Sequence, residues 1–325
     1  MAVYTQVSDE ELIAFLENYE LGPLLSCKGI AEGVENSNYY LHAGAGSFIL
    51  TLYEKRVAES DLPFFLGLME HLSARGVTCP LPVRNRAGAA LGRLAGRPAA
   101  IITFLDGYSV AHPEPAHCAA LGEALAHFHR AGADFPLRRQ NTLSVAGWRP
   151  LFAPFAARAD EVAEGLGDIV AAELAYLDAN WPGDLPSGVI HADLFPDNVF
   201  FLGDKISGLI DFYFACTDAL AYDLAICLNA WCFTAQGDFE PDKCAALLGG
   251  YSAVRALAPA EIDAFPVLAR GAALRFLLTR FVDWLNVPPG ALVRPKDPKE
   301  YLARLKRHRQ LATPSGYGLG SGFGE

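Results

Sequence analysis

The chain has 325 residues, 52% of them hydrophobic, which is enough to bury the core of one large domain or two lobes and too apolar for a disordered chain. Its 37 acidic residues outnumber its 26 basic ones, and the net charge of -11 argues against a nucleic-acid-binding surface, because phosphate backbones select clustered Lys and Arg. Acidic Asp9, Glu10 and Glu11 stand where a secretory signal would be basic, and no apolar run is long enough to span a bilayer, so we expect a cytoplasmic protein.

In chain order, Ser8 is a candidate N-cap with Glu11 as its capping-box partner, and Leu12, Ile13, Phe15 and Leu16 follow at helical spacing, which predicts a short opening helix over 8–19. The stretches around 27–40, 39–43 and 48–53, separated by Gly- and Asn-rich turns, read as an antiparallel meander. Asp61 to Arg75 carries Leu62, Phe65, Leu66, Met69 and Leu72 on one helical face and stops at Gly76. Strands around Arg93 and over 99–104 complete a first unit, and Leu105-Asp106-Gly107 reads as a link, giving expected lobes of 1–105 and 106–314 with a flexible, glycine-rich tail expected over 315–325. Beyond Pro115 the pattern is mainly helical, with helices predicted over 116–131, 148–166, 169–180, 219–234, 241–256 and 260–285. Seven cysteines without CxxC spacing suggest neither a disulfide framework nor a zinc site and read as reduced, mostly apolar thiols.

Among these helices lies Gly188 to Phe214, a passage of short apolar runs divided by polar turns. In Val189-Ile-His-Ala-Asp-Leu-Phe-Pro-Asp-Asn-Val, a buried strand opens into a loop holding His191, Asp193, Asp197 and Asn198 and then becomes a strand again. Asp211 follows another apolar run, in Leu209-Ile-Asp-Phe. Two carboxylates and an amide oxygen brought together suit Mg²⁺, a hard ion that takes oxygen ligands and shares its shell with substrate phosphates. Phosphoryl transfer asks for little more than that charge neutralisation, an aspartate to accept the hydroxyl proton, and in-line positioning. Asp193 or Asp211 alone would read as an ordinary turn residue after a strand.

His191-x-Asp193-x-x-x-x-Asn198 followed by Ile210-Asp211-Phe212 resembles the protein-kinase-like superfamily in its aminoglycoside phosphotransferase and choline kinase branch. The resemblance implies an α+β, two-lobed fold with an antiparallel-sheet N-lobe and a mainly helical C-lobe, using ATP and Mg²⁺. It further implies Asp193 as catalytic base, Asn198 and Asp211 as metal ligands, and His191 with Asp223, in Tyr222-Asp-Leu-Ala, as structural support of the catalytic loop. The hairpin with Gly33, Asn36 and Ser37 resembles the nucleotide-covering turn, although an ordinary hairpin reads equally well. Thr103 and Leu105 fall at the interlobe hinge, where backbone groups would meet adenine. One departure stands out: Thr51 occupies the position of the strand lysine that meets the phosphates, and Lys55 is the nearest substitute, with a solvated surface lysine as the alternative.

Within that branch the chain is similar to bacterial homoserine kinases, in the stretches beginning at Ser47, Asp61, Ala221 and Arg270 and extending to about Leu311. That likeness implies phosphorylation of the side-chain hydroxyl of L-homoserine in threonine biosynthesis, with no nucleic-acid or membrane partner. The amino and carboxylate groups of such a substrate want an acid or aromatic face and a guanidinium, for which Asp197, Trp231 and Arg275 are candidates, each also readable as loop brace, core or helix-surface residue. A kinase for choline, ethanolamine, a methylthio-sugar or an aminoglycoside, and a non-catalytic nucleotide-binding relative, stand as the alternatives.

Overall fold

Ser8 begins the first helix, α1 (Asp9–Leu16), with a capping box: its hydroxyl accepts from Glu11 N at 3.2 Å and the Glu11 carboxylate accepts from Ser8 N at 3.2 Å. This computed structural model describes residues 5–30, 36–54, 57–287 and 295–320. Two units divide the chain, one of residues 1–107 with 207–213 and one of 108–206 with 214–325.

In the first unit β1 (Leu24–Gly29), β2 (Ser37–Ala43) and β3 (Gly46–Leu52) form the meander, joined through Gly46, whose φ of +131° excludes most side chains. After α2 (Leu62–Ser73), β4 (Gly92–Leu94) and β5 (Arg97–Thr103) complete an antiparallel sheet in the order β1-β2-β3-β5-β4. Along β2 every second residue, Ser37, Tyr39, Leu41 and Ala43, is buried, so one face meets the core. Leu12, Phe15 and Leu16 of α1 join Tyr39, Leu41, Leu50 and Ile101 there. Burying these side chains supplies most of the stabilisation of such a layer, about 1.5–3 kcal/mol for each large apolar residue.

The second unit carries α3 (Pro115–Ala131), α4 (Val145–Phe152) and α5 (Leu166–Asn180), then β6 (Ser187–Ile190), β7 (Val199–Leu202), β8 (Lys205–Leu209), whose end passes into the first unit, and β9 (Cys216–Ala219). α6 (Leu220–Trp231), α7 (Pro241–Val254), α8 (Pro259–Leu285) and α9 (Pro298–Gln310) follow. β6 pairs antiparallel with β9, Ile190 opposite Cys216. α6 is buried nearly all round, as a helix enclosed by others must be. α3 and α7 touch backbone to backbone: a Cβ on Gly122 would fall 2.1 Å from Leu247 O, and one on Gly250 2.1 Å from Ala119 O.

The pattern over 148–166 predicts one helix, but α4 ends at Phe152 and a 3₁₀ run takes Ala153–Glu161. Pro154 lacks the N–H that would continue the α ladder, and Gly165 at φ +70° resets the direction before α5. α9 escaped the hydrophobic pattern because Lys, Arg and His dominate it, although Asp297 accepts from Lys299 N at 2.8 Å as an N-cap and Pro298 opens the helix. All seven cysteines are unpaired and six are buried. Among the described residues no helix is long and apolar enough to cross a membrane.

Candidate active site

In the second unit the loop holding His191, Asp193 and Asn198 begins where β6 ends. His191 is buried, Ala192 takes a left-handed backbone with φ +64°, and Asp193 follows half-buried. A non-glycine residue there costs about 1–2 kcal/mol unless its surroundings hold it. What holds it is Asp223, in the first turn of α6, whose carboxylate accepts from His191 N at 2.7 Å and Ala192 N at 2.8 Å. Burial pushes the Asp223 carboxyl up, but the hydrogen bond and charge of His129, the charge of His191 and the backbone N–H outweigh it and hold the pKa below the ordinary value.

Four further hydrogen bonds tie the loop down. Trp231 donates from Nε1 to Leu194 O at 2.7 Å, and Asn198 N donates to Phe195 O at 2.9 Å. Asn198 Nδ2 donates to Asp193 O at 2.8 Å and Asp193 Oδ2 at 3.1 Å. With its amide nitrogen committed to Asp193, the Asn198 side chain presents its carbonyl oxygen on the other side. An oxygen donor of that kind fits Mg²⁺.

A set of residues that sequence reasoning passed over extends this support. His129 on α3 places Nε2 3.2 Å from Asp223 Oδ2 and Nδ1 2.8 Å from the Tyr251 hydroxyl on α7. Arg255 donates to that hydroxyl at 3.1 Å and to both Glu261 oxygens at 3.0 Å. The close crossing at Gly122 and Gly250 is what lets Tyr251 reach His129. A signal was present: Leu121, Leu125 and His129 share one buried stripe of α3, and a histidine in such a stripe needs a polar partner.

Asp211 lies in the first unit, exposed, and itself left-handed with φ +64°. The segment 207–213 is fastened there by Leu209 N to Thr78 O at 3.0 Å and Ser207 Oγ to Asp106 O at 2.8 Å, and Leu105 packs so closely on Gly208 that a Cβ would fall 2.5 Å from its Cδ1. Tyr53 and Tyr213 bring their hydroxyls to 3.4 Å. Burial pushes both phenols up, Tyr213 to about 12, and the Asp211 charge adds to the shift. Thr51 is buried and donates to Asn38 Oδ1 at 2.8 Å, so neutral hydroxyl and amide groups fill the position where the resembling family has a lysine.

The remaining candidates fall as follows. Asn36 Oδ1 accepts from Glu54 N at 3.3 Å and Ser37 Oγ donates to Glu54 Oε1 at 2.7 Å, so both brace the start of β2. Thr103 Oγ1 accepts from Leu81 N at 2.9 Å. Asp197 is exposed and pairs with Lys296 at 3.1 Å. Trp231 and Arg275 are both 1% exposed. Gly33 and Lys55 lie outside the described residues. Glu70, the only acid late in α2, pairs with Arg84 at 2.8 Å.

A loop fastened through an αL residue by a buried helix aspartate, with an asparagine locked to the loop carboxylate, is an arrangement that invites comparison with known proteins. The family description "Phosphotransferase enzyme family" matches residues 26–257. This chain belongs to that family. It is 68% identical over 318 residues to the homoserine kinase of Methylorubrum populi, covering 98% of this chain and 99% of that one. Two solved structures share its fold: choline kinase from Cryptosporidium parvum (TM-score 0.67, 15% identity, 93% of this chain and 95% of that one) and amicoumacin kinase in complex with AMP-PNP, Ca²⁺ and Ami (TM-score 0.66, 17% identity, 94% and 93%). The phosphotransferase is thus an enzyme with a protein-kinase-like fold, an antiparallel-sheet lobe and a helical lobe, built to use ATP and a small-molecule acceptor.

Proposed function

We propose that this phosphotransferase is a homoserine kinase that transfers the γ-phosphoryl group of ATP to the side-chain hydroxyl of L-homoserine, giving O-phospho-L-homoserine and ADP in threonine biosynthesis. The observation that carries the reading is the 68% identity with a homoserine kinase along essentially the whole of both chains.

In the reaction the acceptor oxygen forms a bond to the γ-phosphorus while the bond from that phosphorus to the bridging oxygen breaks, and ADP departs with the bonding pair. The hydroxyl proton passes to Asp193, which the Asp223-supported loop holds half-buried. Asn198 and Asp211 would hold Mg²⁺, whose charge offsets that of the phosphates when bound. The oxygen-only character of this pair, with Asn198 Nδ2 turned to Asp193, supports the fit. We assign the nucleotide to the hairpin of Gly33, Asn36 and Ser37, to the hinge at Thr103 and Leu105, and to Lys55 at the phosphates. Asn36 and Ser37 serve by tying the start of β2 to Glu54.

The test is ADP release with Mg·ATP and a panel of L-homoserine, choline, ethanolamine, L-serine, L-threonine and an aminoglycoside, with products identified by mass spectrometry. Homoserine-selective turnover is expected. Turnover of another alcohol in its place would discard the substrate assignment and keep the kinase.

A further inference from the structure

Most cations on and around α8 meet a carboxylate, and buried Arg304 on α9 donates to Asn229 O at 2.8 Å. Arg270 donates to Glu173 at 2.6 Å, a buried acid that also accepts from Arg309 at 2.7 Å; Arg255 takes Glu261, and Arg280 takes Glu300. Arg275 breaks the pattern. It is 1% exposed, pairs with no carboxylate among the described residues, and leaves Nε and Nη1 buried without a hydrogen bond. The hydroxyl of Tyr222 is buried beside it without a well-formed hydrogen bond, and feels both the Arg275 charge and a long contact from its side chain.

Nearby acids are already engaged. Asp218 accepts from Asn141 Nδ2 at 2.7 Å and from Ala219 N at 2.7 Å, and Asp223 is occupied by His129 and the catalytic loop. Two rings lie by the guanidinium, Phe276 with its centroid at 4.7 Å and Phe214 at 5.7 Å. Rings soften the isolation of a cation but leave its N–H groups unbonded. A buried, permanently charged group lacking a counter-ion is among the more costly arrangements a fold can hold, and its usual resolution is an anion that arrives from outside.

The place fits the reaction. Phe276, adjacent to Arg275, packs edge-on at 4.8 Å against Phe195, which lies in the catalytic loop between Asp193 and Asn198. Phe214, the other ring by Arg275, is half-buried.

Resting on the homoserine kinase reading, we infer that Arg275, with the Tyr222 hydroxyl beside it, is the receptor for the α-carboxylate of the acceptor and the group that selects an amino acid over a simple amino alcohol. One guanidinium and one neutral phenol balance a singly charged, planar carboxylate, which Arg engages through two parallel N–H donors. A phosphate dianion would call for further cations, and those of α8 are spent. Phe214 must swing aside for the carboxylate to enter.

The experiment compares L-homoserine with 3-aminopropan-1-ol, the same acceptor without its carboxylate, on the wild-type enzyme and on Arg275→Met. The wild type should prefer homoserine in kcat/KM by on the order of 10²–10³-fold, and Arg275→Met should lose that preference while its kcat/KM for 3-aminopropan-1-ol stays within a few-fold. Because no carboxylate partner is lost and a buried cation is removed, the Arg275→Met melting temperature should be unchanged or higher, whereas a structural role would lower it. A variant that retains homoserine selectivity, or a wild type that uses both acceptors equally, overturns the receptor and leaves the kinase reading intact. A wild type with no turnover of homoserine overturns both. Should the variant misfold, Tyr222→Phe provides a milder version, with a raised KM for homoserine expected and an unchanged one against the inference.

Discussion

Replacing Asp223 with alanine is the sharpest probe of how the fold supports the chemistry. The substitution removes a fully buried carboxylate that accepts from His191 N and Ala192 N at 2.7 and 2.8 Å and meets His129 at 3.2 Å. A hydrogen bond to a charged group contributes about 1.5–3 kcal/mol, so losing the two backbone bonds costs about 3–6 kcal/mol before any cavity effect. Against a typical stability of about 5–15 kcal/mol, the variant should still fold but with a much lower urea midpoint. The left-handed Ala192 would also lose its support and relax, carrying Asp193 with it. A displacement of about 1 Å at a reacting group is worth about 10²-fold, so kcat should fall at least that far while KM for ATP changes little. Urea titration followed by tryptophan fluorescence gives the first number and steady-state ADP release the second. A loss of less than about 1 kcal/mol with kcat unchanged would refute the view that this carboxylate sets the loop.

Asp193→Ala should reduce turnover by about 10²–10⁴-fold or more with nucleotide affinity retained, as measured by single-turnover kinetics and calorimetry. Gly122→Leu should destabilise by about 3 kcal/mol or more in a urea melt, since its Cβ would press on Leu247 O and Tyr251 N, whereas Gly249→Ala on α7, with open space around its Cβ, should be neutral or slightly stabilising. His308 is buried, with Nε2 3.1 Å from Asn229 Oδ1, and burial followed by the charges of Arg304, Arg270 and Arg307 brings its pKa down to about 3. The unfolded chain therefore binds a proton that the folded one refuses: stability from this site is complete above pH of about 6.5 and falls as pH drops toward 3, by up to about 1.4 kcal/mol per unit. Urea midpoints between those limits should show a shallower slope in His308→Gln than in the wild type.

The loop motif was legible because its chemistry is local. His191, Asp193 and Asn198 lie within one turn between two strands, and the spacing to Asp211 is short enough to be read as one pattern. The capping box at Ser8, the alternation along β2 and the helical stripes of α2 and α3 were legible for the same reason, since each is written within a few residues. Where a helix was misjudged, over 148–166, prolines and a left-handed glycine interrupted a continuous apolar stripe; where one was overlooked, at α9, its few buried positions were hidden among basic residues.

Partnerships across the chain were not legible. Nothing near His129 announces Asp223 or Tyr251, and nothing near Glu173 announces Arg270 and Arg309. Arg255, Arg270, Arg275 and Arg280 look alike in the sequence, yet tertiary packing gives three of them a carboxylate and leaves the fourth buried among rings. Residue order by itself determined which elements form and which side chains the catalytic loop displays, because hydrogen-bonded turns and apolar periodicity act over a few residues. Only the tertiary structure decided which charges are satisfied, because the cost of a buried charge depends on what distant segments place beside it.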